Sequence, residues 1–208
     1  MNATVLLFFG YTTLATLFLG YRFWSSNNKT LKWFGMGLFL NGVAFAIWST
    51  AVLQHSANLD TWVTAGSLFL ALALVAFFKA SANVFGENST FFGLGVIYTI
   101  VLFVTRTFVY PSTPSFSPEG LLFFNVQPVV QAMYILAFVW AVFPVFNYMA
   151  EKVYQGTTGE IVRYGFIVVV MGSVLLIVST DPALVNIAGW AIGLAYLSIL
   201  LTAGKKVV

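Results

Sequence analysis

Residues 61–79 read TWVTAGSLFLALALVAFFK, an apolar run with no charge until Lys79 closes it. A helix of that length covers the roughly 30 Å of a bilayer's hydrocarbon core. The run lacks the period-two alternation of a barrel strand, and its Leu, Ala, Phe and Gly favour a helix. Runs of the same kind occupy 3–23, 33–54, 91–110, 125–149, 163–180 and 183–203, which makes seven spans separated by short polar punctuation. The expected fold class is an all-α integral membrane protein, a seven-transmembrane-helix bundle forming one domain over 1–208. Pro118, Pro128, Pro144 and Pro182 start or interrupt the fifth and seventh spans.

Composition agrees with this expectation. Of 208 residues, 60% are hydrophobic and 7% charged, against about 25% charged in a soluble domain. So few charges cannot keep a globular surface wet, which excludes a soluble protein. Arg22, Lys29, Lys32, Lys79, Lys152, Arg163, Lys205 and Lys206 fall on one side of the seven spans, and Arg106 alone on the other. Glu87, Glu151 and Glu160 accompany the basic majority, with Asp60, Glu119 and Asp181 opposite. The positive-inside rule then places the N terminus outside and the C terminus in the cytoplasm, in a cell membrane. No Lys or Arg precedes the first run, so it is expected to be a retained span and not a cleaved signal peptide. No loop concentrates basic residues, so the expected partner is the lipid bilayer and not nucleic acid.

The chain has no cysteine and one histidine, His55. Haem, zinc or another metal needs several imidazoles or thiolates converging, so no haem, metal or other cofactor is expected. No nucleophile and base can be paired from what is left, and an enzyme is not expected.

An internal match links span two with span six at an offset of 130 residues: Gly35 with Gly165, Gly42 with Gly172, Ile47 with Ile177, Ser49 with Ser179 and Thr50 with Thr180. A repeat in this register pairs the halves 1–79 and 125–203. Three spans are an odd number, so two copies in one orientation need the linker helix 91–110 between them. This 3+1+3 arrangement resembles, in outline, that of the sugar-facilitator and PQ-loop families, of vitamin transporters of similar size and, by proposed ancestry, of the rhodopsins. The resemblance lies in architecture and carries no family motif. PQ-loop proteins have a Pro-Gln pair in the first helix of each half, whereas span one has no proline and span five has Gln127-Pro128 in reverse order. Retinal proteins need a lysine midway along the seventh helix. Here Lys205 and Lys206 lie beyond the membrane, so no covalent retinal is expected.

No ionisable residue lies near the middle of a span, which removes the usual carriers of proton pumping and voltage sensing. Arg106, one turn from the outer end of span four, is either an anchor snorkelling outward or a guanidinium that receives an anionic ligand in an outer vestibule. Neutral polar residues form three helical stripes: Asn41, Phe45 and Trp48 on span two, Gln127, Gln131 and Tyr134 on span five, and Asn186, Trp190 and Gly193 on span seven. Such amides more commonly bond one helix to another. Around a cavity they supply donors, acceptors and stacking faces to a small solute. The candidate ligand-binding residues are therefore Asn41, Trp48, Arg106, Gln127, Gln131, Tyr134, Asn186 and Trp190.

In the outer segment 110–120, Ser117 is expected to cap a short helix with Pro118 and Glu119 in its first turn, laying Leu121, Leu122, Phe123 and Phe124 on the membrane surface. The expected function is a facilitator or binder of a small neutral or weakly anionic solute. The alternative is a non-enzymatic sensor or accessory subunit whose output passes through the helices of other membrane subunits.

Overall fold

Asn28 starts the second helix earlier than hydropathy alone indicates. Its side-chain oxygen accepts the N–H groups of Thr30 and Leu31 at 2.9 and 3.2 Å, donors that a helix N-terminus otherwise leaves open. The computed structural model describes residues 10–54, 56–118 and 120–203. Among these residues seven α-helices follow one another: α1 Thr12–Trp24, α2 Lys29–Leu53, α3 Leu59–Val84, α4 Ser89–Val104, α5 Pro128–Tyr148, α6 Thr157–Val178 and α7 Pro182–Ala203. π-helical turns at Thr105–Val109 and Met149–Val153 extend α4 and α5. Six helices, α2 to α7, are long and apolar enough to cross a membrane. Residues 3–9 of the first run, with His55, Glu119, Lys205 and Lys206, lie outside the described residues.

α3, α5 and α6 also depart from the expected limits, α6 by starting at Thr157. α3 runs on to Val84, and the Lys79 ammonium within it sits over the Phe92 ring, 5.0 Å from its centroid, a favourable partner for a cation inside a helix. Pro128 takes the first position of α5, where a missing N–H costs little, and α5 continues through Pro144.

Contacts between helices run α1–α2–α3–α5–α6–α7 and return from α7 to α1, closing a ring of six. α4 stands outside this ring, against α3 and α5. Only a narrow stripe of it is buried, at Gly95, Thr99 and Leu102, and Arg106 continues that stripe by one turn. Tyr98 Oη donates to the Met133 carbonyl at 2.9 Å, and Ser81 Oγ to the Ala141 carbonyl at 2.6 Å, tying α4 and α3 to α5.

Packing does not follow the internal match. Gly35 and Gly42 of α2 press on α1, at Trp24 and Leu17, whereas Gly165 and Gly172 of α6 press on α7, at Ile199 and Ile192. A copied three-helix unit would turn the α6 glycines towards α5. Ser49 and Thr50 lie within α2, while Ser179 and Thr180 lie beyond the end of α6. The matched residues serve two different seams, which a repeat in this register does not explain.

The outer segment also differs from expectation. Among the described residues Ser117 starts no helix; Ser115–Phe116 (β1) pairs antiparallel with Leu122–Phe123 (β2). The Gly120 N–H donates to the Ser117 carbonyl at 2.9 Å, and the Leu121 N–H donates to Ser117 Oγ at 3.1 Å. Ser117 therefore closes a tight turn. Pro118 suits its second position, and Gly120, at φ 84°, takes the left-handed conformation that favours glycine. Leu121, Leu122, Phe123 and Phe124 are buried in the core and do not lie on a membrane surface. Four large apolar side chains gain more by entering the end of the ring than by partial contact with headgroups.

Candidate functional site

Trp48 crosses the interior of the ring at a point that sequence spacing prepares for it. Gly66 of α3 has no side chain there, and a Cβ would meet the Trp48 Nε1 at 2.1 Å. Nε1 donates to the Val63 carbonyl at 3.4 Å. The indole meets Phe45 edge-on at 5.6 Å and Phe124 of the hairpin at 4.8 Å. Trp48, Leu70 and Phe124 line two neighbouring spaces, one towards the hairpin and one deeper in the ring.

The space on the hairpin side is about 10 Å³, bounded also by Ser67, Arg106, Val126 and Tyr134. That is close to the room one water needs. Arg106 is 5% exposed, with its Cζ 6.0 Å from the centre of the Tyr134 ring. Its Nε is buried without a hydrogen-bond partner, and no carboxylate pairs with it among the described residues. Taking a cation out of water costs several kcal/mol, and a cation–π contact returns about 2 kcal/mol at best. Tyr134 alone does not offset the burial. An arginine placed on the buried stripe of α4 points into the bundle, which overturns the snorkelling alternative.

The deeper space is about 50 Å³ and mainly apolar. Asn41, Ser173 and Tyr196 give its wall a few polar groups, of which Ser173 Oγ is engaged with the Val169 carbonyl at 2.7 Å. Buried phenylalanines close it at the far end. Phe34 meets Phe166 edge-on at 5.2 Å, and Phe166 stacks on Phe146 at 5.0 Å.

The structure brings together four of the eight candidate ligand-binding residues: Asn41, Trp48, Arg106 and Tyr134. The others lie elsewhere. Gln127 is exposed at the N-cap of α5, and Gln131 Nε2 donates to the Val126 carbonyl at 2.6 Å, which fixes the approach to that helix. Asn186 keeps a buried Oδ1 without a hydrogen-bond partner. Trp190 is 50% exposed on the outside of the ring. The inward face of α7 is the apolar stripe Ala188, Ile192, Tyr196 and Ile199, so Tyr196 is the side chain that the Asn186–Trp190 stripe missed. Ser67 and Ser173 were also missed, since a serine in an apolar helix gives no signal of the direction it faces.

Gly66→Ala provides a local test of this arrangement. The added methyl has no room beside the indole, so Trp48 must leave its position between Phe45 and Phe124. A shift in tryptophan emission relative to wild type, with helical content unchanged by circular dichroism, is the expected result.

No family model matches the chain, and comparison with curated proteins and with solved structures also finds no match.

Proposed function

We propose that the chain is a seven-span membrane protein that binds a small, weakly anionic solute inside the ring and lets it cross, with Arg106 receiving the charge. One observation carries this reading: a guanidinium that is 5% exposed and has no counter-ion among the described residues. A solute carboxylate or similar anion supplies the charge that the protein itself does not place there. The apolar space below, with Asn41 and Tyr196 on its wall, accepts the remainder of a small molecule.

A ring of six helices around that space gives the enclosure a facilitator needs. In the form described, the hairpin and the Trp48–Phe124 contact shut one end and Phe34, Phe146 and Phe166 the other. Crossing requires the two closures to open in turn. The distribution of basic residues supports an orientation with the hairpin outside and the C terminus in the cytoplasm.

Uptake of formate, acetate, lactate and nitrate into proteoliposomes tests the proposal. Wild type is expected to accelerate at least one of them over empty liposomes. Arg106→Lys retains the charge but loses the planar fork, and uptake should fall roughly ten-fold, the worth of one charged hydrogen bond. Equal uptake by wild type and Arg106→Lys, or no acceleration of any anion, contradicts it.

A further inference from the structure

At the end of the bundle away from the hairpin, a groove of about 460 Å³ opens beside α2 and α3, lined by Lys29, Lys32, Lys79 and Glu87 with Trp24 and Trp33. Lys29 Nζ pairs with Glu87 Oε1 at 2.8 Å. The hydrogen bond and charge of Lys29 hold the Glu87 carboxyl below its ordinary range, so it is ionised at neutral pH. Lys32 is exposed, and Lys79 rests half-buried over Phe92. Neither forms an ion pair among the described residues. Three lysines against one carboxylate leave the groove at a net +2.

The aromatic wall distinguishes this groove from a patch of solvated lysines. Trp24 and Trp33 are 42% and 39% exposed, in the position where tryptophans mark the boundary between headgroups and hydrocarbon. Cations at the helix ends and indoles beside them match the two parts of a phospholipid. We infer that this groove binds an anionic phospholipid, with its phosphate between Lys32 and Lys79 and its acyl chains along Trp24 and Trp33. A soluble phosphate ester would meet the same lysines but leave the indoles unused.

Native mass spectrometry of the full chain in detergent, titrated with phosphatidylglycerol and phosphatidylcholine of identical acyl chains, tests the assignment. Wild type should retain phosphatidylglycerol in preference. Lys32→Gln and Lys79→Gln should each weaken that retention about five-fold and leave phosphatidylcholine unchanged. Glu87→Gln releases Lys29 and should strengthen retention by a similar factor, a gain that a misfolded variant cannot produce. Equal retention of the two lipids by wild type, or unaltered phosphatidylglycerol binding in both lysine variants, overturns the inference. Displacement of the lipid by millimolar glycerol 3-phosphate would also overturn it, in favour of a soluble-phosphate site; no displacement is expected.

Discussion

Arg106→Met is expected to unfold at a higher temperature than wild type when the only anion in the buffer is a bulky sulfonate. Methionine is apolar and flexible enough to occupy the stem's path between Trp48, Leu70 and Tyr134. It removes a buried cation that has no counter-ion among the described residues and whose contact with the Tyr134 ring does not offset its burial. Replacing buried ions by apolar side chains stabilises proteins by about 1–4 kcal/mol in the cases that succeed, and an unpaired arginine lies at the favourable end of that range. The same variant should lose solute uptake entirely, to the level of empty liposomes. Greater stability combined with lost uptake marks a residue kept for its ligand. A structural role in holding Tyr134 predicts the reverse, a variant less stable than wild type. Thermal unfolding of both proteins, followed by tryptophan fluorescence in one detergent, separates the two outcomes.

Gly35→Ala should strongly destabilise the seam between α1 and α2. A Cβ at this position lies 2.2 Å from the Trp24 nitrogen, 2.6 Å from the Phe23 carbonyl carbon and 2.7 Å from the Gly20 oxygen. All three are backbone atoms of α1, so no rotamer change relieves the contact and the two helices must separate. The expected cost is about 3 kcal/mol, the upper end of ordinary overpacking, and a large share of a domain's total stability. Gly93 of α4 is the control, because nothing lies within 4 Å of a Cβ there. Gly93→Ala should gain roughly 1 kcal/mol from helix propensity. Equal effects at the two positions would show that the α1–α2 seam is looser than described.

The apolar runs were legible because a helix in hydrocarbon needs every side chain to be acceptable to lipid or to a neighbouring helix, so its signal is continuous. Helix ends were less so. Hydropathy stopped the third span at Lys79, although a lysine over the Phe92 ring can sit a full turn inside a helix. The hairpin was written in Ser117-Pro118 and Gly120, a turn sequence with proline second and glycine fourth, but the same Ser-Pro pair also reads as a helix start. What separated the two was the destination of Leu121 to Phe124, which depends on the ring having an end to fill.

For the candidate site, the stripe of α2 pointed inward because Asn41, Phe45 and Trp48 all lie on the face turned to the interior. The α7 stripe failed because Trp190 faces outward, as tryptophans near the ends of spans commonly do. Arg106 was ambiguous on chemistry alone. Its spacing from Gly95, Thr99 and Leu102 gives its direction, since those three form the only face of α4 that is buried among the described residues.

The most direct test of an anion site at Arg106 is the unfolding temperature of the purified protein, titrated with sodium formate, acetate, lactate or nitrate in the sulfonate buffer. A ligand that binds the folded form alone stabilises it by about 2.7 kcal/mol at one hundred times its dissociation constant. Wild type should therefore show a saturable rise with at least one of the four anions, and Arg106→Met should show none at the same concentrations. A flat response of wild type to all four, or parallel rises in the two proteins, would contradict the account.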